Sequence, residues 1–244
     1  MWTPNRRTVL TLSSCAFAQK ENYHGAYDPS TAPVFNTKPN AFLAACIQGR
    51  KPGVALDVGM GAGRNSIYLA EQGWRVVGFD IARAGVEQAR RESLQRGLRI
   101  EARVADENEF DFGEARWNLV VLTYQPFRHL LPKITRGLAD GGLIVVENFH
   151  RDTKRYRLLN EGIDSNELPR LFDGFRILRY EDVDAAPDWG IEFPVNRLVR
   201  ILVRKGGAQS SGCDWKGKSK SEGDTAEWGR VKLKCGPHGW ERVK

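Results

Sequence analysis

Apolar runs and stretches of helical periodicity alternate along most of the chain. Residues 54–56 form a short apolar run that ends at Asp57, and residues 75–79 form a second run that ends at Asp80. Residues 64–72 between them have the composition and apolar spacing of a helix. Two strands joined by one short helical connection fit neighbouring positions in a parallel sheet with a right-handed crossover.

The same alternation continues to about residue 205. The further predicted elements are helix 39–47, helix 82–97, strand 99–105, strand 117–124, helix 128–138, strand 143–146, a short helix 165–172, and strands 175–183 and 195–203. Only about a dozen residues separate the last two strands, which favours an antiparallel hairpin over a helical crossover. The pattern therefore predicts one α/β domain over residues 20–205, which is long enough to bury a sizeable core.

Glycines at alternate positions follow the first predicted strand. Gly59, Gly61 and Gly63 allow a sharp turn and let a ligand lie against bare main chain. The loop departs from the G-x-G-x-x-G pattern of dinucleotide-binding folds, because Arg64 occupies the position of the last glycine. The Asp57 carboxylate disfavours a pyrophosphate and suits a ligand that carries an ammonium group and a sulfonium. These features favour S-adenosylmethionine and count against an NAD-dependent oxidoreductase.

At these residues the sequence resembles the class I S-adenosylmethionine-dependent methyltransferases, over about residues 39–204. Within them it is most similar to the small-substrate branch with tellurite-resistance and thiol methyltransferases. The resemblance implies a Rossmann-like, doubly wound sheet of seven strands, mostly parallel with an antiparallel last strand. It also implies that the glycine loop wraps the methionine part of the cofactor, that Asp80 holds the ribose and that Asp106 lies near the adenine amine. The cofactor-binding residues expected from it are Asp57, Gly59, Gly61, Gly63, Asn65, Asp80, Ile81, Asp106, Glu107 and Thr123.

Substrate chemistry in open α/β sheets belongs at the carboxyl ends of the strands. After the fourth strand, some family members carry an Asn/Asp-Pro-Pro-Tyr/Phe motif that orients an amine. Here residues 124–127 read Tyr-Gln-Pro-Phe, which puts methylation of an adenine or glutamine amino group in doubt. His150, after the fifth strand, is a candidate base, and the alternative is an ordinary hydrogen-bonding histidine. Tyr124 is the other catalytic candidate, but methyl transfer to a soft nucleophile depends mainly on in-line positioning, so we expect no obligatory catalytic residue.

Residues 21–38 lack a clear periodicity and predict an irregular arm. In this family such arms often lie over the active site, where the aromatic residues and His24 would line a substrate pocket. The alternative is an arm whose aromatic residues are half buried on the surface. The predicted substrate residues are Tyr23, Tyr27, Phe35, Tyr124, Phe127 and His150.

The net charge of +7 lies mainly at the two ends of the chain. Residues 1–20 contribute +3 and residues 206–244 contribute another +3, so that +1 remains between them. An enzyme that methylates nucleic acid is expected to carry a basic face on the fold itself. We therefore expect a small-molecule acceptor and no nucleic acid on the core. No apolar stretch is long enough to span a membrane.

Residues 1–19 combine Arg6-Arg7, a short apolar run and Ala16-x-Ala18. This pattern is typical of an export signal of the twin-arginine kind. The alternative is a disordered basic tail, because the apolar run is short and interrupted by Thr and Ser, and S-adenosylmethionine is a cytoplasmic metabolite. The predicted location is accordingly either cytoplasmic or exported.

Residues 206–244 form a basic segment rich in Gly, Ser and Lys, which predicts a disordered tail or a linker with a small appendage. Cys213, Cys235 and His238 are too few and too widely spaced for a zinc site, so we expect no metal. A Cys213–Cys235 disulfide is expected only if the protein is exported. The alternative to an enzyme is a non-catalytic module that binds S-adenosylmethionine or a nucleotide and contacts an acidic partner through this tail.

Overall fold

The computed structural model describes residues 36–153, 162–188 and 195–206, together with five short strands between residues 212 and 242. Up to residue 206 the elements alternate as the apolar pattern predicts. They are α1 Ala41–Ile47, β1 Val54–Val58, α2 Arg64–Glu71, β2 Arg75–Asp80, α3 Arg83–Gln95, β3 Ile100–Val104, β4 Trp117–Thr123, a 3-10 turn Arg128–Leu130, α4 Leu131–Gly137, β5 Leu138–Phe149, α5 Glu167–Leu171, β6 Arg176–Ala185 and β7 Asn196–Arg204. None of the helices in these ranges is both long and apolar enough to cross a membrane.

The seven strands form one sheet in the order β3-β2-β1-β4-β5-β7-β6. Strands β1 to β5 pair in parallel, whereas β7 runs antiparallel to both β5 and β6. The sequence prediction of a doubly wound, mostly parallel sheet with a reversed last strand is therefore confirmed. The strand order changes direction between β1 and β4, and open α/β sheets bind their ligands at such a switch point.

Both faces of the sheet are buried, and the two-residue period of each strand divides its side chains between them. In β1, Leu56 and Val58 contribute to the larger core, whereas Ala55 packs in a second cluster with Phe42 and Leu43 of α1. The larger core also holds the stacked rings of Phe79 and Phe110, whose centroids lie 4.0 Å apart. Cores on both faces hold the strands in register, so the strand ends that carry the site are fixed.

The fifth strand and the helix before it differ from the sequence prediction. The predicted helix 128–138 divides into the 3-10 turn and α4, in which Pro132 occupies the first turn, where it costs no helical hydrogen bond. Strand β5 begins at Leu138 rather than at residue 143, because Leu138 pairs with Trp117 across an irregularity in the register. The predicted strand end at residue 146 moves to Phe149, which extends the ladder with β7.

Residues 206–244 form a separate compact unit. Strands β8 Gly212–Trp215 and β9 Lys218–Ser221 pair as an antiparallel hairpin. Strands β10 Thr225–Trp228, β11 Val231–Gly236 and β12 Gly239–Arg242 form an antiparallel sheet with β11 in the middle. The proposed pairing of the Cys213 and Cys235 side chains falls outside what the structure describes.

Trp117 provides a test of the core at the start of β4. Its side chain is fully buried, and its Nε1 donates to the Phe112 carbonyl over 2.6 Å. Trp117→Phe removes the donor and part of the buried volume, so we expect the free energy of unfolding to fall by about 2–4 kcal/mol in urea titrations. Arg116→Ala is the control, because it removes an exposed side chain whose guanidinium lies 4.6 Å from the ring centroid and leaves Trp117 itself intact. Equal losses of unfolding free energy in the two variants would contradict the conclusion that burial and the hydrogen bond of Trp117 stabilise the core.

Candidate functional site

The glycine loop between β1 and α2 requires its glycines. Gly59, Gly61 and Gly63 have φ angles of 66°, 54° and 81°, in the left-handed region that side chains disfavour. A Cβ added at Gly63 would lie 2.6 Å from the Ala89 Cβ, so this position also permits the close approach of α3. The loop therefore presents bare main chain at the carboxyl end of β1, as the sequence predicts.

Asp80, the last residue of β2, fixes the conformation of this loop. Its Oδ2 accepts a hydrogen bond of 2.8 Å from the Gly61 amide, and its Oδ1 accepts one of 2.7 Å from the Ala82 amide. The carboxylate is only partly buried. One side chain thus joins the loop to the start of α3, and it stands beside the loop where a ribose-binding acid is expected.

Asp57 carries a buried carboxylate beneath the loop. It is 1% exposed, and its Oδ2 accepts a hydrogen bond of 2.7 Å from the Ser66 hydroxyl. Burial raises the pKa of Asp57 to about 6, and this rise is opposed by the hydrogen bond from Ser66 and by the charge of Arg64. A buried negative charge with so little compensation favours a cation nearby.

Two further predicted cofactor residues, Asn65 and Thr123, are hydrogen-bonded to each other over 3.2 Å, from the Asn65 Nδ2 to the Thr123 Oγ1. The Asn65 Oδ1 also accepts from the Asn40 amide over 2.8 Å, at the start of α1. These contacts join α2, the end of β4 and α1. Both residues therefore support the geometry of the site from beneath.

The remaining predicted cofactor residues lie at the ends of β2 and β3. Ile81 follows Asp80 and is half buried. Asp106 accepts from the amide and the side chain of Asn108, over 2.9 and 3.1 Å. Glu107 lies 3.0 Å from Nε2 of His129, and this pair bridges the loops that follow β3 and β4. The sheet thus aligns all ten predicted cofactor residues along the carboxyl edge of β1 to β4.

A buried acid at the end of β5 is the main feature that the sequence analysis missed. Glu147 is fully buried, and the Arg200 Nε lies 2.5 Å from its Oε2. Its Oε1 accepts from the Asn40 Nδ2 over 2.8 Å and from the Tyr124 hydroxyl. Burial raises the pKa of Glu147, and the charge of Arg200 opposes this rise. The available signal was a charged residue inside the apolar run of each strand, Glu147 in β5 and Arg200 in β7.

Asp188 extends this cluster toward the glycine loop. Its Oδ1 lies 3.0 Å from the Arg64 Nη2, and its Oδ2 accepts from the Ala41 amide over 2.7 Å. The Tyr124 hydroxyl lies 3.2 Å from the Asp188 Oδ1. Arg64, which opens α2, is thereby linked to the residues after β4 and to the start of α1.

Neither catalytic candidate from the sequence is placed as a base. Burial and the charge of Glu147 raise the pKa of Tyr124 far above its usual range, so its phenol stays protonated. The Nδ1 of His150 accepts from the Asp152 amide over 3.0 Å, and its Nε2 lies 3.2 Å from the Ser165 Oγ. His150 is 5% exposed, so this pattern matches the structural alternative from the sequence.

The predicted substrate residues lie in different parts of the structure. Tyr124 stays at the site, where its ring lies 5.2 Å from that of Phe149. Phe127 does not form a pocket wall, because it is 1% exposed and stacks in the core on Phe172 at 6.4 Å. His150 is engaged by Asp152 and Ser165 as described above. The remaining three, Tyr23, Tyr27 and Phe35, lie outside the described residues, as do His24 and residues 1–19.

A cavity of about 400 Å³ lies at the opposite end of α2. It is lined by the end of α1 with the turn after it, and by Tyr68, Gln72 and Trp74. Because the glycine loop is at the amino end of α2, this cavity is separate from the candidate site.

Asp57 predicts a pH dependence of stability. Its pKa is about 6 in the folded state against 3.8 as the reference, so the folded state binds more protons between these values. The free energy of unfolding should therefore fall as pH rises from 4 to 6 and stay lower above it. Asp57→Asn keeps an acceptor for Ser66 and removes the charge, so we expect it to abolish this fall and to raise stability at pH 7.5 by about 2–3 kcal/mol. Denaturant titrations across this pH range measure the effect, and a less stable variant at pH 7.5 would refute it.

Parts of this chain are similar in sequence to known methyltransferases. A family model described as a methyltransferase domain matches residues 55–142, from β1 into β5. The ribosomal RNA small subunit methyltransferase C of Alcanivorax borkumensis is 36% identical over 105 residues, which are 41% of this chain and 31% of that protein. The chain thus spans about a third of the length of the curated relatives it matches.

Two solved structures share the fold. The 1,6-didemethyltoxoflavin-N1-methyltransferase of Burkholderia thailandensis superposes with a TM-score of 0.61 at 20% identity, over 84% of this chain and 95% of that chain. TehB of Haemophilus influenzae superposes with a TM-score of 0.60 at 18% identity, over 76% and 67% respectively. At these identities the likeness shows the fold alone. The family match across the glycine loop is to a methyltransferase domain, and the described chain shares the fold of these two methyltransferase-type structures.

Proposed function

We propose that the domain binds S-adenosylmethionine and transfers its methyl group to a small-molecule acceptor. The observation that carries the proposal is the glycine loop, which leaves main chain bare at the switch point of the sheet and whose Gly61 amide donates to Asp80. The residues around it suit the charges of this cofactor. Asp57 provides a buried negative charge under the loop, and Asp80 and Asp106 provide hydrogen-bond acceptors at the ends of β2 and β3.

In this proposal each part of the cofactor has its own protein contacts. Asp80 accepts hydrogen bonds from the ribose, Asp106 accepts one from the adenine amine, and the loop from Gly59 to Gly63 encloses the methionine part. When bound, S-adenosylmethionine supplies an electrophilic methyl group on a sulfonium. The protein contributes orientation and exclusion of water, which account for much of the rate when the acceptor is a good nucleophile.

The state of the titratable groups indicates the kind of acceptor. Tyr124 stays protonated, Glu147 is paired with Arg200, and both ring nitrogens of His150 are engaged. An acceptor that needs no proton removed by the protein suits such a site: a thiolate, another soft anion, or a ring nitrogen with a free lone pair. The structurally similar 1,6-didemethyltoxoflavin-N1-methyltransferase, whose name describes methylation at a nitrogen, supports this range.

The RNA methyltransferase relative does not lead us to propose an RNA acceptor. Its match covers 31% of that protein. The part of this chain between residues 20 and 206 carries a net charge of only +1, which provides little attraction for a phosphate backbone. A small molecule is therefore the acceptor class that we propose.

Calorimetric titration of the full chain tests the cofactor. We expect S-adenosylmethionine and S-adenosylhomocysteine to bind and NAD not to bind. Asp80→Asn should weaken binding of both adenosyl ligands by about 1–3 kcal/mol, because a charge-assisted hydrogen bond to the ribose is lost. Asp173→Asn is the matched control on the exposed surface after α5. Binding of NAD alone, or of no ligand, would refute the proposed function, whereas an unchanged affinity of Asp80→Asn would remove only the ribose assignment.

Transfer of radiolabelled methyl groups to a panel of thiols, hydroxylated heterocycles and ring nitrogens tests the acceptor. For a thiol, we expect the pH profile of kcat/KM to follow the pKa of that thiol rather than a group on the protein. His150→Gln should then keep the wild-type profile. A profile that stays constant across thiols of different pKa, and that shifts in His150→Gln, would identify His150 as a base.

A further inference from the structure

One buried polar atom at the site has no partner in the part of the chain that the structure describes. It is the Nε2 of Gln125, in the turn that follows β4. A buried amide without a hydrogen bond costs about 1–3 kcal/mol. Native proteins rarely leave such a group unpaired unless a ligand or an ordered water completes it. This inference rests on the proposed function.

The backbone holds Gln125 in place. Tyr124 before it has a φ of 56°, which is strained for a residue with a large side chain. The Tyr124 amide donates to the Glu147 carbonyl over 2.9 Å, and the Asn148 Nδ2 donates to the Gln125 carbonyl over 2.9 Å. Pro126 restricts the backbone of Gln125 further. The main chain from which the Gln125 side chain extends is therefore held by β5.

The Gln125 amide lies against the glycine loop. A Cβ added at Gly59 would lie 1.9 Å from the Gln125 Oε1. The bare main chain at Gly59 thus accommodates this amide, in addition to any ligand that the loop encloses. The unpaired Nε2 belongs to the same amide and lies 3.7 Å from this added Cβ, so it is beside the first glycine of the loop.

We propose that Gln125 donates a hydrogen bond from Nε2 to the carboxylate of the methionine part of S-adenosylmethionine. An N–H group needs an acceptor, which excludes the ammonium group and the sulfonium. The ribose and adenine are assigned to Asp80 and Asp106, on β2 and β3. Gln125 follows β4, on the opposite side of β1. The remaining acceptor on that side is the carboxylate, and Gln125 is accordingly a positioning residue for the methyl donor.

Calorimetry with two probes tests this contact in the full chain. S-adenosylhomocysteine has the amino-acid part, whereas 5′-methylthioadenosine lacks it. We expect Gln125→Leu to raise the Kd of S-adenosylhomocysteine about 10-fold or more and to leave that of methylthioadenosine unchanged, because only the first probe has the carboxylate. Gln125→Glu should raise the Kd of S-adenosylhomocysteine further, since two carboxylates repel each other. Gln88→Leu, on the exposed face of α3, is the matched control.

The melting temperature of the ligand-free protein checks the premise. Gln125→Leu removes an unpaired polar group, so it should melt at or above the wild-type temperature. A lower temperature would mean that the amide has a partner in the protein and would overturn the inference.

An unchanged Kd for S-adenosylhomocysteine in Gln125→Leu would also overturn it, and the amide would then face the methyl acceptor. Tighter binding by Gln125→Glu would overturn it in favour of the ammonium group. Failure of the wild-type protein to bind S-adenosylhomocysteine would instead refute the proposed function.

Discussion

The carboxyl edge of this sheet depends on one charge that has no contact with water. Glu147 lies in a buried strand, where an isolated carboxylate would cost several kcal/mol. The sheet register offsets that cost, because Arg200 on β7 stands directly opposite Glu147 on β5 and directly opposite Glu181 on β6. The Arg200 guanidinium therefore lies between two carboxylates, one on each neighbouring strand.

The same acid organises the surroundings of the candidate site. Asn40 caps α1 through its Oδ1 while its Nδ2 donates to Glu147, so the entry of the first helix is tied to the fifth strand. Tyr124 binds Glu147 by both its amide and its hydroxyl, which holds the strained turn after β4. That turn carries Gln125. The Glu147–Arg200 ion pair, on the β5 side of β4, therefore helps to hold the Gln125 amide beside the glycine loop.

The parts of this structure that follow from local pattern were predictable from the sequence. The period of the apolar residues identified the seven strands, and alternate glycines between two acids identified the loop. The Glu147 cluster was not predictable, because it requires the register of β5 against β7 and the approach of α1 and Asp188. Phe127 shows the same limit. Its neighbours in the chain suggest a pocket wall, but Phe172 decides its position by stacking on it in the core. His150 similarly has a local partner in the Asp152 amide, but the fold is needed to bring Ser165 to its other ring nitrogen.

The close approach of Gly59 and Gln125 has a consequence for variation of this chain. Any side chain at position 59 would occupy the space of the amide at position 125, in addition to the strain of its backbone. A variant with alanine at position 59 would thus be compatible only with a smaller residue, or a differently directed one, at position 125. The two positions lie far apart in the chain and at the ends of different strands, yet a side chain at position 59 requires a change at position 125.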